Sequence, residues 1–98
     1  KVKPGTPEYT KRQAEIARRH GLAIVRGHIQ LPDLRIEYQT RDGAMEKTDL
    51  ELATPHYRPG QLAAKSEAGF TFYASGEDHS RLSSVFDDHD ITAEILRL

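Results

Sequence analysis

Ninety-eight residues suit one domain, and a chain of this size buries only about 60–65% of its unfolded surface, so its core must be small. With 37% hydrophobic residues, 30% charged residues and a net charge of −1, the composition describes a folding, polar domain; it excludes a surface given over wholly to a phosphate backbone. No apolar run approaches the roughly 18–20 residues that span a bilayer, no signal-peptide pattern opens the chain, and without cysteine there is neither a disulfide framework nor a thiolate metal site, so the cytoplasm is the expected compartment.

Charge is unevenly spread. Lys1, Lys3, Lys11, Arg12, Arg18, Arg19 and Arg26 crowd the first quarter, and Asp87, Asp88 and Asp90 crowd the end. The chain starts without Met and stops inside an apolar pattern at Ile91-Thr92-Ala93-Glu94-Ile95-Leu96-Arg97-Leu98, which predicts a piece of a longer protein.

Lys1 to Gly5 reads as a flexible lead-in. Thr6-Pro7-Glu8 then predicts a helix start: Thr6 caps, Pro7 suits the first helical position, and Glu8 favours the positive end of the dipole. The helix should run to about His20 and stop at Gly21. Leu22-Ala23-Ile24-Val25 predicts a short buried strand, continuing toward Ile29. After Pro32 the chain alternates, with Leu34, Ile36 and Tyr38 on one side and Arg35, Glu37 and Gln39 on the other, the pattern of a half-buried strand. Asp42-Gly43 predicts a hairpin turn, and the return strand should run from about Glu46 to Thr54. Leu50 and Leu52 then share one side, and Lys47, Asp49, Glu51 and Ala53 the other. Pro55 to Gly60 is a loop, Gln61 to Ala68 a helix, Phe70 to Ala74 a strand, and Ser75-Gly76-Glu77-Asp78 a turn. Ser80 to Phe86 reads as a short helix, and Asp90 as the cap of a final one. The predicted class is α/β (α+β), one domain over residues 1–98, with a mixed sheet of about four strands.

The clearest chemical constellation is acidic. Asp49 and Glu51 lie two apart on one strand and so share a face. Across a hairpin centred on Asp42-Gly43, Asp33 pairs near positions 52–54, which makes Asp33 and Glu51 neighbours. Two or three carboxylates converging at a strand end suit a hard cation such as Mg²⁺ or Mn²⁺, and such an ion can activate water against a phosphodiester. The plain alternative is a solvated polar face. Lys47 shares the strand face with Asp49 and is a candidate cationic partner for it.

Histidines give a weaker pattern. His56 follows the return strand near the acidic cluster, and Asp78-His79 and Asp87-Asp88-His89-Asp90 hold potential ligands, but none has the spacing of a zinc site. His20 and His28 have no partner pattern. Lys11, Arg12, Arg18 and Arg19 recur at about two helical turns, which suits either phosphate contact or the solvent side of the helix. No Gly-rich phosphate loop and no nucleophile elbow occur.

Leu31-Pro32-Asp33, then a strand, a turn and Thr48-Asp49-Leu50-Glu51-Leu52, resembles the signature of the PD-(D/E)XK nuclease superfamily. More narrowly, Pro32-Asp33, Asp49-Leu50-Glu51, Tyr57, Leu62, Lys65, Gly69-Phe70 and Tyr73 resemble the nuclease-like part of replication-relaxation proteins of plasmids and integrating elements. The likeness covers roughly Leu31 to Tyr73. It implies a restriction-endonuclease-like α-β-β-β-α-β core with additional C-terminal helices, with Asp33, Asp49 and Glu51 binding Mg or Mn. The superfamily's lysine follows the acidic residue by two positions; here that place holds Glu51, counted from Asp49, or Ala53, counted from Glu51, and Lys65 is the implied substitute. DNA, reached through the parent protein, is the implied partner. The alternative is a catalytically inactive domain of the same fold, serving protein–protein interaction as, for example, a homodimer.

Overall fold

A computed structural model of the chain describes residues 3–54 and 56–98; Lys1 and Val2 of the expected lead-in, and Pro55 of the expected loop, lie outside the described residues. The chain divides into two compact units, one ending at Leu31 and one spanning Pro32–Leu98.

The first unit opens with α1 (Pro7–His20). Its start follows the sequence closely: Tyr9 donates its amide to the Thr6 hydroxyl at 3.2 Å, proline occupies the first turn, and Gly21 closes the helix in the left-handed region. Beyond it, the single strand expected from Leu22 to Ile29 is instead a miniature hairpin, β1 (Ile24–Val25) paired antiparallel with β2 (His28–Ile29). Arg26 (φ 49°) and Gly27 (φ 80°) make the turn, because two successive left-handed residues match the twist of a tight hairpin. The Gln13 side-chain amide donates to the Gly27 carbonyl at 2.7 Å and ties helix to turn.

The second unit is a mixed four-stranded sheet of order β3-β4-β5-β6: β3 (Leu34–Gln39), β4 (Met45–Leu52), β5 (Thr71–Ala74) and β6 (Ile95–Arg97). β3 and β4 form the expected antiparallel hairpin, with Leu34 opposite Leu50 and Gln39 opposite Met45. Gly43 sits in its turn at φ 89°, where a side chain would be strained. β5 and β6 run parallel to β4, each reached through a helix, α2 (Pro59–Glu67) and α3 (Gly76–Asp88), as parallel crossovers require.

Two expectations at the C-terminal end are corrected. Ser75-Gly76-Glu77-Asp78 is no turn but the start of α3: the Ser75 hydroxyl accepts from the Asp78 amide, and Glu77 and Asp78 occupy the first turn, where acidic side chains favour the dipole. After α3, Asp90 (φ 54°) caps no further helix. The segment extends into β6, bonded through Phe72 N–H to Glu94 C=O (3.0 Å) and Leu98 N–H to Ala74 C=O (2.8 Å). The additional C-terminal helices are thus one helix and one strand. Ile91, Ala93 and Ile95 pack against the core with the period of two that a strand, not a helix, presents.

The core lies on one side of this sheet. Ala53, Leu62, Phe72, Ala74, Leu82 and Phe86 form it, so α2 and α3 contribute to the same side; Phe72 meets Phe86 edge to face at 5.1 Å. Glu51 is in register with Phe72, so the face of β4 that turns toward the helices carries Asp49 and Glu51, and both are buried. The apolar set is on the other face: Leu34, Ile36, Tyr38 and Leu52 are 39–52% exposed. On the helix side of β3 only Arg35 is partly buried, while Glu37 and Gln39 are exposed, so β3 is largely open on both faces rather than half-buried on its apolar one. Alternation defines two sets, and the crossover helices decided which one is covered.

Candidate functional site

Two charge clusters line the helix-side face of the hairpin. The first joins Asp33, Glu51, Tyr57 and Lys65. The β3–β4 register carries Asp33 to the level of Glu51, and the Asp33 amide donates to Glu51 Oε1 at 3.1 Å. Asp33 in turn accepts the Leu52 amide at Oδ2, 2.8 Å away, so Glu51 holds the backbone of Asp33 while Asp33 holds that of the residue after Glu51. The loop after β4 returns Tyr57, whose hydroxyl donates to Glu51 Oε2 at 2.8 Å. From α2, the Lys65 ammonium stands 3.5 Å from the same oxygen and 5.3 Å from the centre of the Phe70 ring. Helical geometry explains that reach, since the turn that buries Leu62 in the core carries Lys65, three positions on, along the same side.

The second cluster belongs to Asp49. Arg35, directly opposite in the register, grips it bidentately, Nε to Oδ1 at 2.7 Å and Nη2 to Oδ2 at 3.0 Å, and Lys47 Nζ reaches Oδ2 at 2.9 Å. The Arg35 hydrogen bonds hold the Asp49 carboxyl below the usual carboxylate range against the opposing effect of burial, with Lys47 assisting, and raise the guanidinium pKa in return. Asp49 is thus bound into a cation–carboxylate–cation network, each of its oxygens already used.

Tyr57 is perturbed in the other direction. Its hydrogen bond to Glu51 favours the neutral phenol, burial and the charges of Glu51 and Asp33 add to this, and the pKa is pushed up to about 12. The unfolded phenol ionises near 10, so the stabilisation is fully present below pH 10 and is lost as pH rises toward 12. In alkaline unfolding titrations the wild type should lose stability across this window faster than Tyr57→Phe; parallel curves would show that the phenol–carboxylate bond contributes nothing.

The structure therefore brings Asp33, Glu51 and Lys65 together and holds Asp49 apart with Arg35 and Lys47. Among the described residues no group of three or more His, Asp or Glu side chains is arranged to hold a metal ion. A hard cation does not need such a cage: one or two carboxylates with water and substrate oxygens suffice for Mg²⁺. Glu51 already accepts from the Asp33 amide and the Tyr57 hydroxyl, and Asp33 from the Leu52 amide, while both Asp49 oxygens are engaged by cations.

The remaining candidates are spread over the fold. His56 is exposed. His79 is within hydrogen-bond distance of the Ile95 carbonyl, 2.9 Å, joining α3 to β6; His89 follows the last turn of α3; and Asp87, Asp88 and Asp90 are exposed. His20 ends α1 and His28 lies in β2. Lys11, Arg12, Arg18 and Arg19 are all exposed on α1, and Arg12 stands 4.0 Å from Glu8 one turn earlier.

Sequence reasoning assigned no role to Arg35 and knew Tyr57 only as a motif position. The pairing of Arg35 with Asp49 became visible only in the hydrogen bonding of the turn. Thr40 donates its amide to the Ala44 carbonyl, and counting pairs outward from 40 and 44 sets 35 against 49 and 33 against 51, rather than 33 near 52–54. Among the described residues no helix is long and apolar enough to cross a membrane. Compared with protein-family models, curated proteins and solved structures, the chain matches none.

Proposed function

We propose that the chain is a nuclease-like module of a DNA-associated, replication-relaxation type protein, with a metal-dependent phosphodiester-hydrolysing site on Asp33, Glu51 and Lys65. One observation carries this reading: the Lys65 ammonium, contributed by a different element, stands 3.5 Å from the Glu51 carboxylate, whose other oxygen accepts the Asp33 amide. Two carboxylates and a lysine at the end of a hairpin supply the charges that hydrolysis of a phosphodiester requires. Asp33 and Glu51 would hold Mg²⁺ or Mn²⁺, which supplies Lewis acidity and a more acidic bound water. Lys65 would stabilise negative charge on the phosphate, and Tyr57 orients Glu51. Asp49 enters as a positioning residue that fixes Arg35 and the hairpin. A restriction-endonuclease-like arrangement of the second unit is part of the same proposal, supported by the hairpin followed by a parallel crossover through α2.

The test combines cleavage and melting. Asp33→Asn keeps an oxygen to accept the Leu52 amide and removes the charge, so it separates metal binding from folding. Wild type should cut plasmid DNA in Mn²⁺ and melt higher with it, by about 2.7 kcal/mol at a hundredfold excess over Kd. Asp33→Asn and Lys65→Gln should lose cleavage, and Asp33→Asn the metal-dependent rise as well. Cleavage that survives Asp33→Asn unchanged would overturn the assignment.

A second reading, a catalytically silent interaction domain of this fold, is favoured by the internal neutralisation of Asp49 by Arg35 and Lys47. It predicts no metal-dependent rise and no cleavage in any variant.

A further inference from the structure

The second unit covers one face of its sheet with α2 and α3, and the other face carries large apolar side chains that are exposed. On that face Leu34 is 52%, Ile36 46%, Tyr38 41%, Leu52 39% and Leu96 43% exposed. The register makes these side chains neighbours: Leu34 pairs with Leu50, and Leu52, Tyr73 and Leu96 stand side by side across β4, β5 and β6. Leu98, two residues beyond Leu96 and bonded by its amide to Ala74, is 73% exposed.

We infer that this sheet face is a self-association surface on which a second copy of the chain stacks, face to face, about a two-fold axis. Size is the first argument. With ~150–200 Å² for a large side chain, these exposures leave on the order of 500 Å² of contiguous patch, the upper end of what monomers carry. Two such faces bury on the order of 1,000 Å² together, the threshold of a specific interface. Charge chooses the occupant. The residues of β3 and β4 on this side are Leu34, Ile36, Tyr38, Glu46, Thr48, Leu50 and Leu52, and the lone charge, Glu46, accepts a hydrogen bond from the Tyr38 hydroxyl at the hairpin's tip. A nucleic acid would meet no cation from β3 or β4 on this side, and one carboxylate. Another flat apolar sheet meets its own chemistry, and sheets stacked at about 10 Å bury such faces against each other. A two-fold axis makes the patch self-complementary by construction and closes the assembly at two copies.

The inference is independent of the hydrolytic reading, because Asp33, Glu51 and Lys65 cluster on the helix side of the sheet. Its test is the mass in solution, by sedimentation equilibrium across a concentration series. Wild type should rise from 11.1 kDa toward twice that mass. Ile36→Lys and Leu52→Lys place a charge in the patch at positions already open to water, so the fold should hold while dimerisation weakens by about a hundredfold, each substitution being felt twice across the axis. Met45→Lys is the control: the residue is 66% exposed but lies on the opposite face, and its substitution should leave the dimer intact. A wild type that stays monomeric throughout overturns the inference, as does a dimer that survives Ile36→Lys or one that Met45→Lys abolishes equally.

Discussion

Glu51→Gln is expected to cost the domain about 3 kcal/mol, although the substitution changes almost no volume. Glu51 is 2% exposed, and its two oxygens accept from the Asp33 amide and the Tyr57 hydroxyl and face the Lys65 ammonium. An amide in its place turns one of those acceptors into a donor and removes the carboxylate charge that faces a largely buried ammonium. Breaking one side of a buried pair costs roughly 3–5 kcal/mol, and the partial exposure of Lys65, 17% of its side chain, pulls the value to the low end. For a domain of this length about 3 kcal/mol corresponds to a fall in Tm of roughly 15 °C. Urea unfolding of Glu51→Gln, Lys65→Met and the double variant measures it. The double variant should cost less than the two single variants together, by about 1–3 kcal/mol of coupling. Simple additivity would mean that Glu51 and Lys65 do not share a pair energy, and would weaken the site proposed above along with the stability argument.

Phe72→Ala should cost still more, about 3–5 kcal/mol. Phe72 is wholly buried and belongs to the core cluster with Leu62 of α2 and Leu82 and Phe86 of α3. Its loss removes the edge-to-face contact with Phe86 and leaves a cavity that two helices and a strand must collapse to fill. Small domains hold only about 5–15 kcal/mol in all, so the variant should sit near the threshold of unfolding and show reduced helical circular dichroism at physiological temperature. Phe72→Leu should cost much less, since it keeps most of the apolar volume. Ile36→Ala, on the open face, should change the stability of the isolated chain by no more than about 0.5 kcal/mol. Equal costs at positions 72 and 36 would mean that the open face is packed in solution as tightly as the core.

Several features were legible in the residues because short-range chemistry decides them. Thr6-Pro7 and Gly21 bound α1 through capping and φ preference, Asp42-Gly43 makes its hairpin turn, and a period of two places Asp49 and Glu51 on one face. The adjacency of Asp33 and Glu51 followed from hairpin register, whereas Lys65 was singled out by resemblance and its reach to Glu51 belongs to the packing of α2. Other features were ambiguous locally. Ser75 serves equally as a turn residue and as a helix cap, and the α3 that follows packs Leu82 and Phe86 into the core. Ile95-Leu96-Arg97 can extend a helix or pair as a strand, and the vacant edge of β5 decided for the strand.

The sequence by itself determined the two alternating sets of β3 and β4, and with them which residues travel together. Only the tertiary structure decided that Asp49 and Glu51 would be buried and Leu34, Ile36, Tyr38 and Leu52 left open. The reason is physical: alternation is symmetric between faces, whereas the crossovers through α2 and α3 cover only one, and Ala53, Phe72 and Ala74 fix that face as the core. Asp49 and Glu51 can be carried inside with it because Arg35, Lys47, Tyr57 and Lys65 satisfy them there.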